Sequence, residues 1–281
     1  MINLSKIAAS VTLYNSSITS LECIETYRIQ VSKLYVVDNS DRESAALVKH
    51  LISLPNVVYL SNNGNKGVAS ALNRAASVAI NDGFDFLLTM DDDTSVPTDL
   101  IVTIVDFLDH HIDPDYVGIV TASHTRETTT ETFRSVLTTM TSGNLLNLSV
   151  YARVGPFRDD FFIDHVDHEY GLRLNKANFQ VIELLNLQVD HRLGERKLVG
   201  WELQSYVSHA PMRGYYIVRN GVVLVHEYGV QFPEFKRRIQ ILLMKEFVKA
   251  LFFESKKLYR LRLLWRGLAD GRAGRLGKLT E

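Results

Sequence analysis

Residues 84–93 read FDFLLTMDDD, a compact apolar run that ends in three consecutive aspartates, Asp91, Asp92 and Asp93. Such a run, bounded by polar residues, is the pattern of a strand buried on both faces. Three more runs of this kind lie upstream, at residues 6–15 (KIAASVTLYN), 33–37 (KLYVV) and 56–60 (NVVYL). Helical patterns separate them. Residues 16–30 carry Ile18, Leu21, Ile24 and Tyr27 at steps of three, residues 42–54 are helical in pattern, and residues 68–80 are Ala-rich. A strand–helix series with short connections predicts an α/β fold: a parallel sheet with helices on both faces.

In such sheets ligands bind beyond the carboxyl ends of the strands. Here each strand ends in polar residues: Tyr14-Asn15, Asp38-Asn39-Ser40, Asn62-Asn63 and the acid run. Asn, Asp and Ser also simply make turns, but four polar ends in succession point to one shared cleft. Adjacent aspartates repel, and each has to stay solvated or paired. A divalent cation carrying a diphosphate would relieve that repulsion, because Mg²⁺ and Mn²⁺ prefer hard oxygen ligands. The competing reading of the run is an acidic turn or helix cap.

Past residue 115 the pattern loosens. Residues 117–122 read as a strand, 125–131 as a polar loop, 141–144 as a turn and 180–189 as extended. A second acidic cluster, Asp164-His165-Val166-Asp167-His168-Glu169, opens a helical pattern that runs to residue 175. If the cluster is helical throughout, Asp164, Asp167 and His168 share one face, and His165 and Glu169 another. A carboxylate among other acids can act as a general base, the role expected of Asp167. Glu169 has a structural alternative, a pair with Arg173 one turn on. His191 follows the extended stretch as a candidate metal or phosphate contact.

Other chemistries lack their signatures. No G-x-S-x-G, P-loop or G-x-G-x-x-G motif is present. The single cysteine, Cys23, excludes a disulfide framework and a multi-thiolate zinc site. The N-terminus does not read as a signal peptide, and no apolar stretch reaches the length of about 18 residues that a membrane span needs. A net charge of −1 hides an asymmetry: residues 236–281 carry 13 Lys and Arg against 4 Asp and Glu.

These motifs, in this order, resemble glycosyltransferase family 2 with the GT-A fold, and within it the bacterial rhamnosyltransferase-like group. The resemblance rests on Val11–Asn15, Val36–Ser40, Asn65–Ala69, Met90–Asp93, Ser142–Asn144, Phe162–Tyr170, His191–Gly194, Tyr215-Tyr216 and Arg219-Asn220, with closing glycines at Gly267, Gly271 and Gly277. It implies an inverting, Mn²⁺- or Mg²⁺-dependent transfer of sugar from a nucleotide donor. The implied donor is dTDP-L-rhamnose and the acceptor a growing, lipid-linked cell-surface glycan. A UDP-galactofuranose transferase and a non-catalytic carbohydrate-binding scaffold are the alternatives.

The resemblance also implies roles. Asp167 would be the catalytic base, with Val166 where relatives often have Glu. Thr12, Tyr14, Asn15, Asp38, Asn65, Gly67, Asp91 and Asp92 would bind the sugar nucleotide. Asp93 and His191 would hold the metal. Asp164, Glu169 and Gly143 would line the acceptor site. The expected organisation is a catalytic domain over residues 1–230, divided near 115 into nucleotide and acceptor halves, and a basic helical tail over residues 231–281.

That tail reads as one amphipathic helix from 234 to about 266, followed by a loosely ordered, glycine-rich stretch at 267–279. Interleaved basic and aromatic residues suit an anionic membrane surface. The expected location is therefore cytoplasmic, peripheral at the inner face of the plasma membrane. Packing on the catalytic domain or on a second copy, as a homodimer, is the alternative. No nucleic-acid module accompanies the basic residues.

Overall fold

The computed structural model describes residues 1–111, 113–125, 129–191, 196–199, 204–207 and 210–280. The chain divides into two compact units, Met1–Arg158 with Asp167–Arg192, and Asp159–Val166 with Leu193–Glu281. Residues 230 and 231, the expected domain boundary, both lie in the second.

The first unit begins β1 (Ile7–Leu13), α1 (Leu21–Arg28), β2 (Lys33–Asp38), α2 (Ala45–Ile52), β3 (Val57–Ser61), α3 (Val68–Asn81), β4 (Phe86–Asp91). The series continues with β5 (Thr94–Ser95), α4 (Leu100–His111), β6 (Val117–Ser123), β7 (Phe133–Ser135), β8 (Asn144–Asn147), α5 (Leu148–Val154), α6 (Val166–Lys176), β9 (Gln180–Gln188) and β10 (Asp190–His191). The main sheet runs β3-β2-β1-β4-β8-β6-β9-β7. Its first four strands are parallel, as expected. The antiparallel β8 then separates them from β6 and β9, which are again parallel, and β7 closes the edge antiparallel.

The apolar strands are apolar because both faces are covered. Ile7, Ala9, Val11 and Leu13 of β1 are buried with Leu34 and Val36 of β2 and Leu88 and Met90 of β4. Each of these side chains larger than alanine contributes about 1.5–3 kcal/mol of burial. The alanines of α3 (Ala69, Ala71, Ala75, Ala76 and Ala79) are buried, and their small size brings that helix close to β1 and β2.

The second unit holds β11 (Arg196–Val199), β12 (Gln204–Val207), α7 (Pro211–Tyr228), α8 (Pro233–Phe252) and α9 (Lys257–Arg272). Strands β11 and β12 pair antiparallel. The single helix expected from 234 to 266 is two helices. Lys256 sits at φ 53°, a left-handed conformation that cannot continue a right-handed helix. The corner is fastened by Glu254, which is buried and accepts Arg260 Nη2 at 3.2 Å. In the sequence only a four-residue polar run, Glu254-Ser255-Lys256-Lys257, interrupts the apolar pattern there, and no Gly or Pro marks the corner.

The stretch expected to be loose is also ordered as far as Arg272. Gly267 and Gly271 sit within α9, where an added Cβ would lie 2.5 Å from Tyr215 O and 2.6 Å from Arg219 O. Both glycines therefore serve close approach to α7, not flexibility. Beyond the helix, the Gly277 amide donates to Asp160 O at 2.6 Å and the Leu279 amide to the Tyr216 hydroxyl at 2.8 Å.

Candidate active site

Strand register places the polar ends side by side. Leu13 pairs with Asp38, Asp38 with Ser61, and Thr12 with both Val37 and Asp91. Asp38 and Asp91 thus close the two strands that flank β1, Asp38 opposite Leu13 and Asp91 opposite Thr12.

A hydrogen-bonded knot fixes the loops beyond this edge. Its hub is Asn39, which sequence reading left without a role. Asn39 Oδ1 accepts the Lys66 amide at 2.9 Å and Asn62 Nδ2 at 3.2 Å, while its own Nδ2 donates to Asn65 Oδ1 at 3.2 Å. Asn65 Oδ1 also accepts the Gly67 amide at 2.9 Å. Gly67 caps α3 at φ 93°, a conformation that glycine adopts without steric cost. The Asn15 amide donates to Ser40 Oγ at 2.7 Å, and its side chain accepts the Arg42 amide at 3.1 Å. Tyr14, half exposed, donates its hydroxyl to Asp41 at 3.3 Å.

Asp38 is 2% exposed and accepts from the Tyr59 hydroxyl and the Ser40 amide, both at 2.9 Å. Burial, and next the bond to Asp38, push the Tyr59 hydroxyl well up, so Tyr59 stays a neutral donor. A carboxylate has lone pairs for more than two donors, which leaves Asp38 capacity for a further N–H.

The acid run lies just past this edge. The Asp91 amide donates to Ser142 Oγ at 3.0 Å, and Ser20 Oγ donates to Asp92 at 3.1 Å. Burial holds the Asp92 carboxyl above its usual 3.8; bonds from Ser16 and Ser20 oppose the rise and Asp93 adds to it. The field reaches α1. Tyr27, fully buried with no hydrogen-bond partner for its hydroxyl among the described residues, is pushed well above 10 by burial and then by Asp92, Asp91 and Asp93. Next, β5 pairs with β10, and this sets His191 opposite Thr94, the residue after Asp93. The His191 side chain and residues 192–194 lie outside the described residues, as do residues 126–128 of the expected polar loop.

The donor chemistry suits a hard divalent cation: three successive carboxylates, with burial and the neighbouring Asp93 raising the pKa of the middle one. Among the described residues no group of three or more His, Cys, Asp and Glu could hold an ion unaided. Such an ion would need oxygens from a bound ligand as well.

Asp167 stands in the first turn of α6, half-buried, with Oδ1 on the His168 amide at 2.8 Å. Negative charge there is stabilised by the helix dipole. Glu169 takes its structural alternative: it is 1% exposed, and Arg173 Nε and Nη2 reach its two oxygens at 3.0 and 2.8 Å. Gly143 is positioned by the sheet. Its amide donates to Thr89 O at 2.9 Å, and its φ of 86° suits a glycine.

The expected shared faces of the cluster do not form, because the helix begins only at Val166. Phe162, Asp164 and His165 adopt φ of 65°, 64° and 62°. Left-handed conformations cost non-glycine residues about 1–2 kcal/mol each, and α7 holds them in place. Arg219, fully buried, donates to Phe161 O at 2.8 Å, Asp160 O at 3.2 Å and Gly277 O at 2.5 Å. Asn220 Nδ2 donates to the carbonyls of Phe161, Ile163 and Asp164 at 3.1, 2.9 and 2.8 Å. Arg213 pairs with Asp164 at 2.6 Å. The segment leading into Asp167 is thus fastened at every carbonyl from 160 to 164 except that of Phe162. The sequence does carry a signal for this clamp: an Arg-Asn pair in the middle of an apolar helix.

The sheet, its polar edge and the acid run define a GT-A glycosyltransferase. The chain belongs to glycosyl transferase family 2, whose profile matches residues 10–165. It is 25% identical over 248 residues to the dTDP-rhamnosyl transferase RfbF of Shigella flexneri, covering 80% of this chain and 82% of that one. Among solved structures it is similar to S. aureus TarS 1-349 in complex with UDP-GlcNAc, with a TM-score of 0.59, 14% identity, and 96% of this chain and 88% of that one covered. It is also similar to GalNAc-T7 with UDP, GalNAc and Mn²⁺, with a TM-score of 0.60 and 13% identity, covering 95% of this chain and 55% of that one.

Proposed function

We propose that this glycosyltransferase moves L-rhamnose from dTDP-L-rhamnose, with inversion at C1, onto a hydroxyl of a growing lipid-linked glycan. The work would be done on the cytoplasmic side of the plasma membrane by a peripherally attached protein. The observation that carries the reading is the strand register that sets Asp38 opposite Leu13 and Asp91 opposite Thr12, on either side of β1, with Asp92 and Asp93 following. The similarity to a dTDP-rhamnosyl transferase over four-fifths of the chain supports the donor.

In this reading Asp38 accepts the pyrimidine N–H, and Asn15, Asn65 and Gly67 shape the nucleotide loop together with Tyr14. Asp91 and Asp92 face the ribose and sugar. Asp93, with His191, would hold Mn²⁺ or Mg²⁺, whose charge stabilises the diphosphate leaving group. Asp167 takes the proton of the acceptor hydroxyl as that oxygen bonds to C1. The C1–O bond to the nucleotide breaks on the opposite face, and its electron pair leaves with the diphosphate. Asp164, ahead of α6, lies on the acceptor side.

The test is thermal unfolding with a panel of nucleotide sugars, with and without Mn²⁺. A ligand at a hundredfold excess over Kd stabilises by about 2.7 kcal/mol. A Mn²⁺-dependent shift with dTDP-L-rhamnose is expected. A shift with UDP-galactofuranose alone would overturn the donor, and no shift with any sugar nucleotide would overturn the assignment of this edge to the donor.

A further inference from the structure

Helix α8 is apolar on two opposite sides. Phe235, Ile239 and Ala250 on one side are buried, with Leu243 and Phe247 packed on the cluster of Val218 and Leu264. On the other side Ile241, Met244, Val248, Leu251 and Phe252 recur at helical spacing, yet all are exposed, from 39% at Ile241 to 62% at Phe252. A surface helix ordinarily carries one apolar stripe, the one that faces the core. The second stripe continues at the corner with Phe253 and Leu258, the latter 85% exposed, and on α9 with Trp265, which packs edge-on against Phe247 at 5.2 Å.

The charge around the stripe has one sign. Residues 235–266 contain two acids, Glu246 and Glu254, and these pair with Lys249 and Arg260 at 2.6 and 3.2 Å with side chains 12% and 1% exposed. The exposed charges of this stretch are basic: Arg237, Arg238, Lys245, Lys256, Lys257 and Arg262 among them. A two-fold pairing of copies through the stripe would set base against base. No helix among the described residues is long and apolar enough to cross a membrane.

We propose that the outer stripe of α8, with the α8–α9 corner, lies in the surface of an anionic phospholipid bilayer. Aromatic and aliphatic side chains enter the acyl boundary, while the surrounding lysines and arginines meet lipid phosphates. This deepens the peripheral attachment proposed above by naming the surface that makes it.

The experiment is sedimentation of the full chain with vesicles of phosphatidylcholine, alone or with one-quarter phosphatidylglycerol, at low and high salt. Two variants accompany it: Met244→Ser/Val248→Ser/Phe252→Ser, and Lys256→Glu/Lys257→Glu. Binding to the anionic vesicles is expected, weaker in high salt, and reduced more than about tenfold in the triple variant. The thermal shift with dTDP-L-rhamnose and Mn²⁺ should not change in either variant. Equal binding to neutral vesicles, no binding by folded wild type, or binding that survives the triple variant would overturn the proposal. A wild-type mass of two chains that falls to one in the triple variant would hand the stripe to a second copy and overturn it as well. Vesicle binding by a chain that shows no donor shift would support this surface while breaking the functional reading.

Discussion

The two units solve the same problem by different means. In the first, the groups proposed for the donor site sit where regular elements end: Asp38 closes β2, Asp91 closes β4, and Asn39 and Asn65 tie the loops just beyond. In the second, the segment leading to Asp167 has little regular structure of its own, and a buried Arg219-Asn220 pair on α7 takes up its carbonyls. An edge assembled from strand ends presents its groups through backbone register. A left-handed segment has to be held by side chains from elsewhere. If so, damage to the first region should fall on catalysis and binding, and damage to the second on stability.

The largest effect is expected at Asp167. Removing a general base costs roughly 10²–10⁴-fold in rate, so with Asp167 in its proposed role Asp167→Asn should lower kcat of sugar transfer by about a thousandfold. Its unfolding midpoint in urea should stay near wild type, because Asn can still accept the His168 amide. Near wild-type turnover would move the proton transfer to another group. A smaller loss, about a hundredfold in kcat/KM, is expected for Asp93→Ala, together with loss of the Mn²⁺-dependence of the donor thermal shift. A shift that stays Mn²⁺-dependent would take the metal away from Asp93.

Arg219→Met tests the other side of the contrast. It takes the donor from Gly277 O and one donor each from Asp160 O and Phe161 O, which keep the Gly277 amide and Asn220. A buried carbonyl left without a donor costs about 1–3 kcal/mol, and a total near 3 kcal/mol is expected in urea unfolding. Arg219→Lys should recover only part of it, since an ammonium cannot reproduce the planar fork. Donor binding by the folded variants should be nearly unchanged. A variant that is stable yet loses donor binding would erase the division of labour between the units.

The difference also governs what could be read in advance. The four parallel strands and the acid run were legible because burial on both faces writes a continuous apolar run, and three acids after it have few structural uses. Helix α7 left no such trace. Residues from Gly214 to Gly221 are buried without a break, so the helix lacks the one-sided period that reveals a surface helix. The α8–α9 corner was hidden for another reason: the apolar pattern resumes at Leu258 after only four polar residues, with no Gly or Pro between. The Asn39 knot and the Arg219 clamp link residues as far as 27 and 59 positions apart. The Arg-Asn pair in an apolar helix marks the clamp, but composition and spacing do not name its partners, and only the left-handed backbone at Phe162, Asp164 and His165 shows why the clamp is needed.

The smallest effect separates binding from stability inside the acid run itself. Burial raises the Asp92 carboxyl above 3.8 in the folded chain. The folded state therefore holds the proton over a range in which the unfolded state has released it. Stability then falls as pH rises from 3.8 through the raised folded value. Asp92→Asn removes that penalty while keeping an oxygen for Ser20. The variant should gain about 1 kcal/mol or less at pH 7, and the gain should vanish below the usual carboxylate range, where both states of the wild type are protonated. Urea unfolding of both proteins from pH 3 to pH 8 measures the difference. A gain that persists at the acid end would mean that packing, not charge, separates the two side chains. A loss at neutral pH would mean that the Asp92 charge is compensated in the folded chain without any cation, and the acid run would then have no need of one.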